Sequence, residues 1–262
     1  MKLLTVHDEL STKLLCQDFA TGQNPEEVLQ RYRDSVKDYV SVDNSVAVLS
    51  DLQADKSYIY AGGFGEFFGF PSNNMVIESA FEELIFNKIH PDDLTERHVL
   101  EIRYFKFQKS IPPEERTRYS TVCKIRAVNH AGNYVYITHR TLYIKSLNDG
   151  NVWLALCLYS PCTDQYAQSG IDGKIMDGTT GEALPVERYK NYDELLLSKR
   201  ETAVLSLIAQ GIPSKQIALK LNISLNTVHR HRQNILSKLQ VANSAEAVKT
   251  TVMMGIIKTM PQ

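Results

Sequence analysis

LSKRETAVLSLIAQGIPSKQIALKLNISLNTVHRHRQNILSKL, residues 197–239, carries three helix signals in close succession. Ser198 stands three positions before Glu201, the S-x-x-E capping box in which each side chain satisfies a backbone amide at a helix start. Val204, Leu205, Ile208 and Ala209 then recur at the spacing of one buried helical face. Gly211 follows directly, as expected of the left-handed residue that ends a helix. Pro213 and Ser214 open a second short helix with Ile217, Ala218 and Leu221 inward, and Asn222 permits the next turn. Ser224 caps a third helix from about Leu225 to Leu239, whose inner face is Val228, Ile235 and Leu239.

The opposite face of that third helix holds Asn226, His229, Arg230, Gln233 and Ser237, flanked by Arg232 and Lys238, with no large apolar residue. Alone, such a strip reads as solvated surface. With two short helices and a tight turn before it, the strip lines a helix of the right length for the major groove, with side chains that donate to phosphates and base edges. A fourth helix begins at Asn243, with Glu246 in the matching capping position. Its stripe of Ala245, Val248, Val252 and Ile256, widened by Met253 and Ile257, is expected to complete the local core and then to meet the same helix of a second chain.

These residues resemble the LuxR-type helix-turn-helix. The match runs through residues 197–205, Gly211, Lys-Gln-Ile-Ala at 215–218, Asn-Ile-Ser at 222–224 and Thr-Val-His-Arg-His at 227–231. It continues in Asn-Ile at 234–235, Lys-Leu at 238–239, Val241 and Glu-Ala-Val at 246–248, over roughly a quarter of the chain. The resemblance implies that His229, Arg230 and Gln233 approach base edges of double-stranded DNA. It also implies that Lys215, Thr227, His231 and Lys238 lie near phosphates or position the helix, and that Val248, Val252 and Ile256 pair two chains in a homodimer. Two positions depart from the family pattern: Pro213 stands where a capping Ser is usual, and His229 replaces a common Lys. The second departure puts the identity of the recognised base in doubt.

Charge is distributed to match. Residues 195–262 hold nine Lys and Arg against Glu201 and Glu246, a net +7, which leaves −8 on the rest of a chain whose total is −1. A basic tail on an acidic body suits a polyanion, either nucleic acid or an anionic membrane surface, and the residue pattern favours the former. The most apolar run, Val152 to Tyr159, is far too short to span a bilayer, and Asp8 and Glu9 argue against a secretory signal. Cys16, Cys123, Cys157 and Cys162 show no metal-ligand spacing and read as reduced thiols of a cytoplasmic protein.

The first 40 residues read as a helical extension: Asn24-Pro25-Glu26-Glu27 is a helix start, and Val28, Leu29, Tyr32, Val36 and Tyr39 give a partial apolar face, either a lid on the next domain or a dimer contact. From residue 41 the pattern changes. Val46–Leu49 and Tyr58–Tyr60 are short strands, and His90-Pro91-Asp92-Asp93 opens a helix to about Gln108. Thr121–Val128, Tyr134–Ile144 and Val152–Ser160 alternate as strands, joined by turns at 129–133 and 148–151, the pattern of an antiparallel meander. Two strands, short helices, then three strands make an α+β domain. Over residues 41–165 this order resembles a PAS domain, including the His-Pro-Asp-Asp helix opening and the Asn-His-Ala-Gly-Asn-Tyr hairpin at 129–134. The resemblance implies a curved antiparallel sheet with flanking helices and a pocket between them for a small ligand or for dimerisation. Residues 166–192 form a connector in which Lys174–Met176 and Glu182–Val186 are expected to pair around Asp177-Gly178, and residues 193–262 form the all-α four-helix DNA-binding domain.

Competing chemistry is weak. Gly63-x-Gly65 lacks the third glycine and the βαβ unit of a dinucleotide fingerprint. His90 and His98 are formal haem ligands, but a helix cap explains His90 more simply, and the cysteine motif of flavin-binding PAS domains is missing, so no cofactor is expected. The cluster Phe64, Phe67, Phe68 and Phe70 reads as core. No nucleophile elbow, zinc-protease motif or phosphate loop is present, so the expectation is a non-enzymatic one-component transcription regulator acting with RNA polymerase. The alternatives are an N-terminal domain that serves only protein interaction, and a sigma-factor-like subunit.

Overall fold

A computed structural model describes residues 5–19, 25–70, 74–189, 197–239 and 241–257. The chain divides into two compact units, one spanning Ser11–Pro185, the other Val186 onward together with the residues before Ser11.

The larger unit is built on a seven-stranded antiparallel sheet in the order Met75–Ile77 (β3), Lys56–Ala61 (β2), Val46–Asp51 (β1), Val152–Pro161 (β6), Tyr134–Ser146 (β5), Tyr119–Val128 (β4) and Lys174–Asp177 (β7). A hairpin of β1 (Val46–Asp51) and β2 (Lys56–Ala61) is extended at its edge by β3 (Met75–Ile77). The meander β4 (Tyr119–Val128), β5 (Tyr134–Ser146) and β6 (Val152–Pro161) follows. It joins the hairpin through β1–β6 pairing, Val46 opposite Tyr159 and Asp51 opposite Leu154. Both expected turns form. The Asn129 carboxamide oxygen accepts from the amides of Ala131 and Asn133 at 3.0 Å. The Leu147 amide donates to the Asn151 carbonyl at 2.8 Å.

β1 is buried along its whole length and β6 for its first eight residues, because both faces of the sheet are covered. On the outer face lies α2 (Pro25–Asp43), whose Leu29, Val36 and Val40 pack with Ala47, Leu49, Leu154, Leu156 and Leu158. Each of those helix side chains contributes roughly 1.5–3 kcal/mol by leaving water. α2 thus covers one face of the sheet as a lid. Asn24, expected as its cap, lies outside the described residues. Gly62 lets the hairpin approach the end of α2, since a Cβ there would sit 2.6 Å from the Val40 carbonyl oxygen.

The inner face carries α3 (Gly65–Phe68), α4 (Glu83–Phe86) and α5 (Pro91–Lys109). His90 caps α5, its Nδ1 accepting from the Asp92 amide at 3.3 Å. Phe64 stacks on Phe67 and Phe68 on Phe70, Phe67 meets Phe68 edge to face, and Phe68 reaches Tyr159 of the sheet at 5.9 Å between centroids.

The larger unit extends past residue 165. Lys174–Asp177 is a seventh strand, β7, paired with β4 from Tyr119 to Val122. The expected hairpin partner contributes one bridge, Met176 to Ala183, and the Asp177 amide donates to the Glu182 carbonyl at 2.9 Å. Beside the β4–β7 ladder Asp177 ion-pairs with Arg118, the residue before β4, with Arg118 Nε donating to Asp177 Oδ1 at 2.7 Å. The residue 192/193 boundary lies outside the described residues.

The smaller unit contains α1 (Val6–Leu15) only in its first turns and four further helices: α6 (Lys199–Ala209), α7 (Ser214–Leu221), α8 (Leu225–Leu239) and α9 (Ser244–Met253). Leu197, Val204, Leu205, Ile217, Val228, Ile235, Leu239, Ala247 and Ile257 form its core. The inward face of α9 is turned from the stripe expected. Ala247, Thr250 and Thr251 are buried, Ala245 is exposed, and Val248 and Val252 are half-buried. The helix ends at Met253, so Ile256 lies beyond it.

Candidate nucleic-acid interface

Local signals place the interface helix. The capping box of α6 is complete: the Glu201 amide donates to Ser198 Oγ at 3.3 Å and the Ser198 amide to Glu201 Oε2 at 2.8 Å. Gly211 takes a φ of 73°, reversing the chain into α7, whose N-cap is Pro213 with no side-chain cap bond. Asn222 adopts the left-handed conformation, φ 52° and ψ 51°, that ends α7. Asparagine tolerates this because its short polar side chain bonds locally. Ser224 then caps α8, its Oγ accepting from the Thr227 amide at 3.0 Å and lying 2.8 Å from Thr227 Oγ1. Three residues separate α7 from α8.

α8 has 15 residues and is about 22 Å long. Val228, Ile235 and Leu239 are buried, and on the other side Asn226, His229, Arg230 and Gln233 are all exposed, with Ser237 half-buried. Their spacing of three and four sets them on one edge. Lys215 is exposed at the start of α7. The sequence-expected base-edge trio, His229, Arg230 and Gln233, therefore shares one solvent-facing strip.

The expected backbone residues divide. Thr227 is tied to Ser224 at the head of the helix. His231 is half-buried, its Nδ1 enclosed without a hydrogen-bond partner. Lys238 is an internal partner instead of a free cation: its Nζ donates to Glu201 Oε2 at 2.8 Å. The capping-box carboxylate is buried and needs a counter-charge, which the last turn of α8 supplies. Burial alone would raise the Glu201 carboxyl, but the bonds from Lys238 and Ser198 outweigh it and hold the group below its usual value.

Sequence reasoning did not assign Arg232 a task. Its Nη1 donates to Ser214 Oγ and its Nη2 to Ser244 Oγ, both at 3.0 Å, so one guanidinium fastens the starts of α7 and α9 to α8. The available signal was its position: Arg232 lies four residues after Val228 on the half-buried shoulder of the helix. α9 opens with the Asn243 carboxamide accepting from the Glu246 amide at 3.0 Å, while Glu246 accepts from the Ala242 amide at 2.8 Å.

The family described as bacterial regulatory proteins, luxR family, matches residues 195–251. The response regulatory protein YgeK of Escherichia coli is 42% identical over 69 residues, 26% of this chain and 46% of that protein. The transcriptional regulatory protein UhpA of Salmonella typhimurium is 50% identical over 50 residues, 19% of this chain and 26% of its own. This chain thus spans less than half the length of these relatives. Among solved structures, the phage VqmA–DPO complex is 18% identical, covering 89% of this chain and 94% of that one, with a TM-score of 0.29. SdiA of Escherichia coli is 15% identical, covering 96% and 99%, with a TM-score of 0.26. TM-scores this low establish no common fold. The C-terminal segment, residues 195–251, is a helix-turn-helix DNA-binding domain of the luxR family of bacterial regulatory proteins.

Proposed function

We propose that the chain is a sequence-specific transcription regulator of the one-component type, cytoplasmic and without catalytic activity, that binds double-stranded DNA as a homodimer and acts on RNA polymerase at a promoter. The carrying observation is the exposed strip Asn226, His229, Arg230 and Gln233 on the third helix of a luxR-type domain. In this reading His229, Arg230 and Gln233 contact base edges, Lys215 contacts phosphate, and Thr227 and Arg232 hold the helix at its angle. The half-buried flank of Val248 and Val252 is the apolar surface available on α9 for a second domain.

The larger unit is a PAS-like sensor in this reading. Its support is the order of elements: a hairpin, three helices on one sheet face, then a meander that closes on β1. Among the described residues, no helix is long and apolar enough to cross a membrane.

Mapping of bound sites across a bacterial genome supplies the operator, and anisotropy titrations on that operator and a scrambled duplex test the roles. Arg230→Ala loses roughly 1–3 kcal/mol of discrimination between the two duplexes. Lys215→Ala weakens both alike and reduces the log–log salt slope by about 0.9. Identical behaviour of the two variants removes the base-edge assignment.

A further inference from the structure

Residues 162–173 form a strap from the end of β6 to the start of β7, and its two halves are held in different ways. The first half is tied at the surface. Gln165 pairs its carboxamide with both backbone groups of Tyr136, accepting from the amide at 3.0 Å and donating to the carbonyl at 2.9 Å. Lys124 Nζ donates to Asp164 Oδ2 at 2.9 Å and to the Tyr166 carbonyl at 2.8 Å. The second half hangs on one buried residue. Ile171 is 3% exposed; its carbonyl accepts from the Lys124 amide at 2.8 Å, and its amide donates to Glu96 Oε2 of α5 at 3.2 Å.

Ile171 thus stands in for a single strand residue, closing the edge of β4 beyond its pairing with β7 and clipped to α5 on its other side. The backbone turns through the left-handed region immediately before and after it, with φ 70° at Gly170 and 47° at Asp172. These two residues are the hinges on which Ile171 can leave its seat.

The clip is electrically unbalanced. Glu96 is 6% exposed, and among the described residues no cation pairs with it. Its own helix sets two like charges beside it, Asp93 and Asp92, three and four positions back. β4 contributes Arg126 and the Cys123 thiol. Arg126 is committed to Asp93, its backbone amide at 2.7 Å and its Nε at 3.0 Å both donating to Asp93 Oδ2. Burial holds the Cys123 thiol up at about 12, so it is uncharged. The strap offers Glu96 only the Ile171 amide, because the charges that follow it, Asp172 and Lys174, pair with each other at 2.7 Å. A carboxylate in this seat is relieved by admitting water, and a neutral carboxylic acid has no need of it.

We propose that Glu96 and Ile171 form a proton-controlled clip: while Glu96 is neutral the strap stays closed on α5, and when Glu96 ionises Ile171 lifts at its two hinges and frees the segment leading into β7. Burial pushes the Glu96 carboxyl up to about 7, with Asp93 and Asp92 adding to the rise and the Ile171 amide and Arg126 opposing it. With the strap open the group returns to the ordinary glutamate value of about 4.3. An acid whose pKa is higher in the closed state favours closure in full below about 4.3, loses that advantage as pH rises towards about 7, and changes little above it. Between pH 6 and pH 8 the open fraction should grow about tenfold.

The test is amide hydrogen exchange on the full chain at pH 6 and pH 8, expressed as protection factors so that intrinsic base catalysis divides out. The amides of Ile171 and Lys124 are expected to lose about tenfold in protection over that range, while those within β5 and β6 keep theirs. Glu96→Gln has nearly the same shape and no ionisable proton. Its Ile171 and Lys124 amides are expected to stay at or above the wild-type pH 6 protection at both pH values. The side-chain carboxyl carbon of Glu96, followed by NMR in the wild-type chain and so independent of any variant, is expected to titrate near 7. Equal wild-type protection at the two pH values, the same loss in Glu96→Gln, or a Glu96 midpoint at about 4.3 overturns the proposal.

Discussion

Lys238 and Glu201 show how one side chain changes meaning with its neighbour. Glu201 is 3% exposed and holds the Ser198 amide, so losing Lys238 leaves a buried carboxylate short of its counter-charge. Lys238→Met is expected to destabilise the DNA-binding unit by about 1–3 kcal/mol in chemical denaturation at pH 7. The pH dependence has a definite sign. A carboxyl whose folded pKa lies below its unfolded value, about 4.3, stabilises above that value and loses the stabilisation as pH falls through the folded pKa. Wild type should therefore lose stability in acid more steeply than the variant, and parallel curves would show that the pair does not carry the effect. In the linear chain Lys238 is indistinguishable from a phosphate-seeking cation. Its partner lies 37 positions away, and only the packing of α6 on α8 brings the two together. Arg97 hides for the same reason, since its charge reads as solvent-facing until Glu82 and Cys157 converge on it.

Among elements, those with local causes were legible. The Ser198–Glu201 box, Gly211, Asn222 and the Ser224 cap are signals within four residues, and α6, α7 and α8 begin and end on them. The alternating meander and both its turns were equally plain. α9 was readable as a helix but not in its rotation. A stripe of large apolar residues pointed to Val248 and Val252, whereas close packing accepts the smaller Ala247 and Thr251. Thr251 satisfies its hydroxyl on the Ala247 carbonyl at 2.6 Å. β7 escaped because a four-residue edge strand has little pattern of its own, and its partner β4 lies some fifty residues earlier. Arg118 holds the Asp177 carboxyl down at about 2, so this tie persists above the ordinary carboxylate range and loosens only as pH falls through about 2. Asp177→Asn is expected to speed amide exchange in Lys174–Asp177 while β5 and β6 keep their protection. Unchanged exchange in β7 would mean that its backbone ladder alone secures the edge.

At the scale of the molecule, charge and assembly matter more than any contact. With +7 on residues 195–262 and −8 elsewhere, the C-terminal segment favours a polyanion and the remainder disfavours it. A homodimer on a two-fold operator predicts two chains per duplex by sedimentation, with half-sites about one helical turn apart. A single chain on each duplex would exclude the dimer. A strand-rich stretch followed by a helical segment was legible from hydrophobic period, caps and charge, with the boundary read at 192/193, which lies outside the described residues. Where the sheet unit begins and ends was not, since α2 and β7 join it through residues distant in the chain.

The pairing of β1 with β6 has a consequence for biogenesis. β1 leaves the ribosome roughly a hundred residues before the strand that will cover its open side. Through that interval a nascent hairpin carries Val46 to Leu49 uncapped along one edge, the condition under which strands recruit the wrong neighbour. Synthesis rate and chaperone supply, rather than final stability, should then govern how much of this protein reaches its native state.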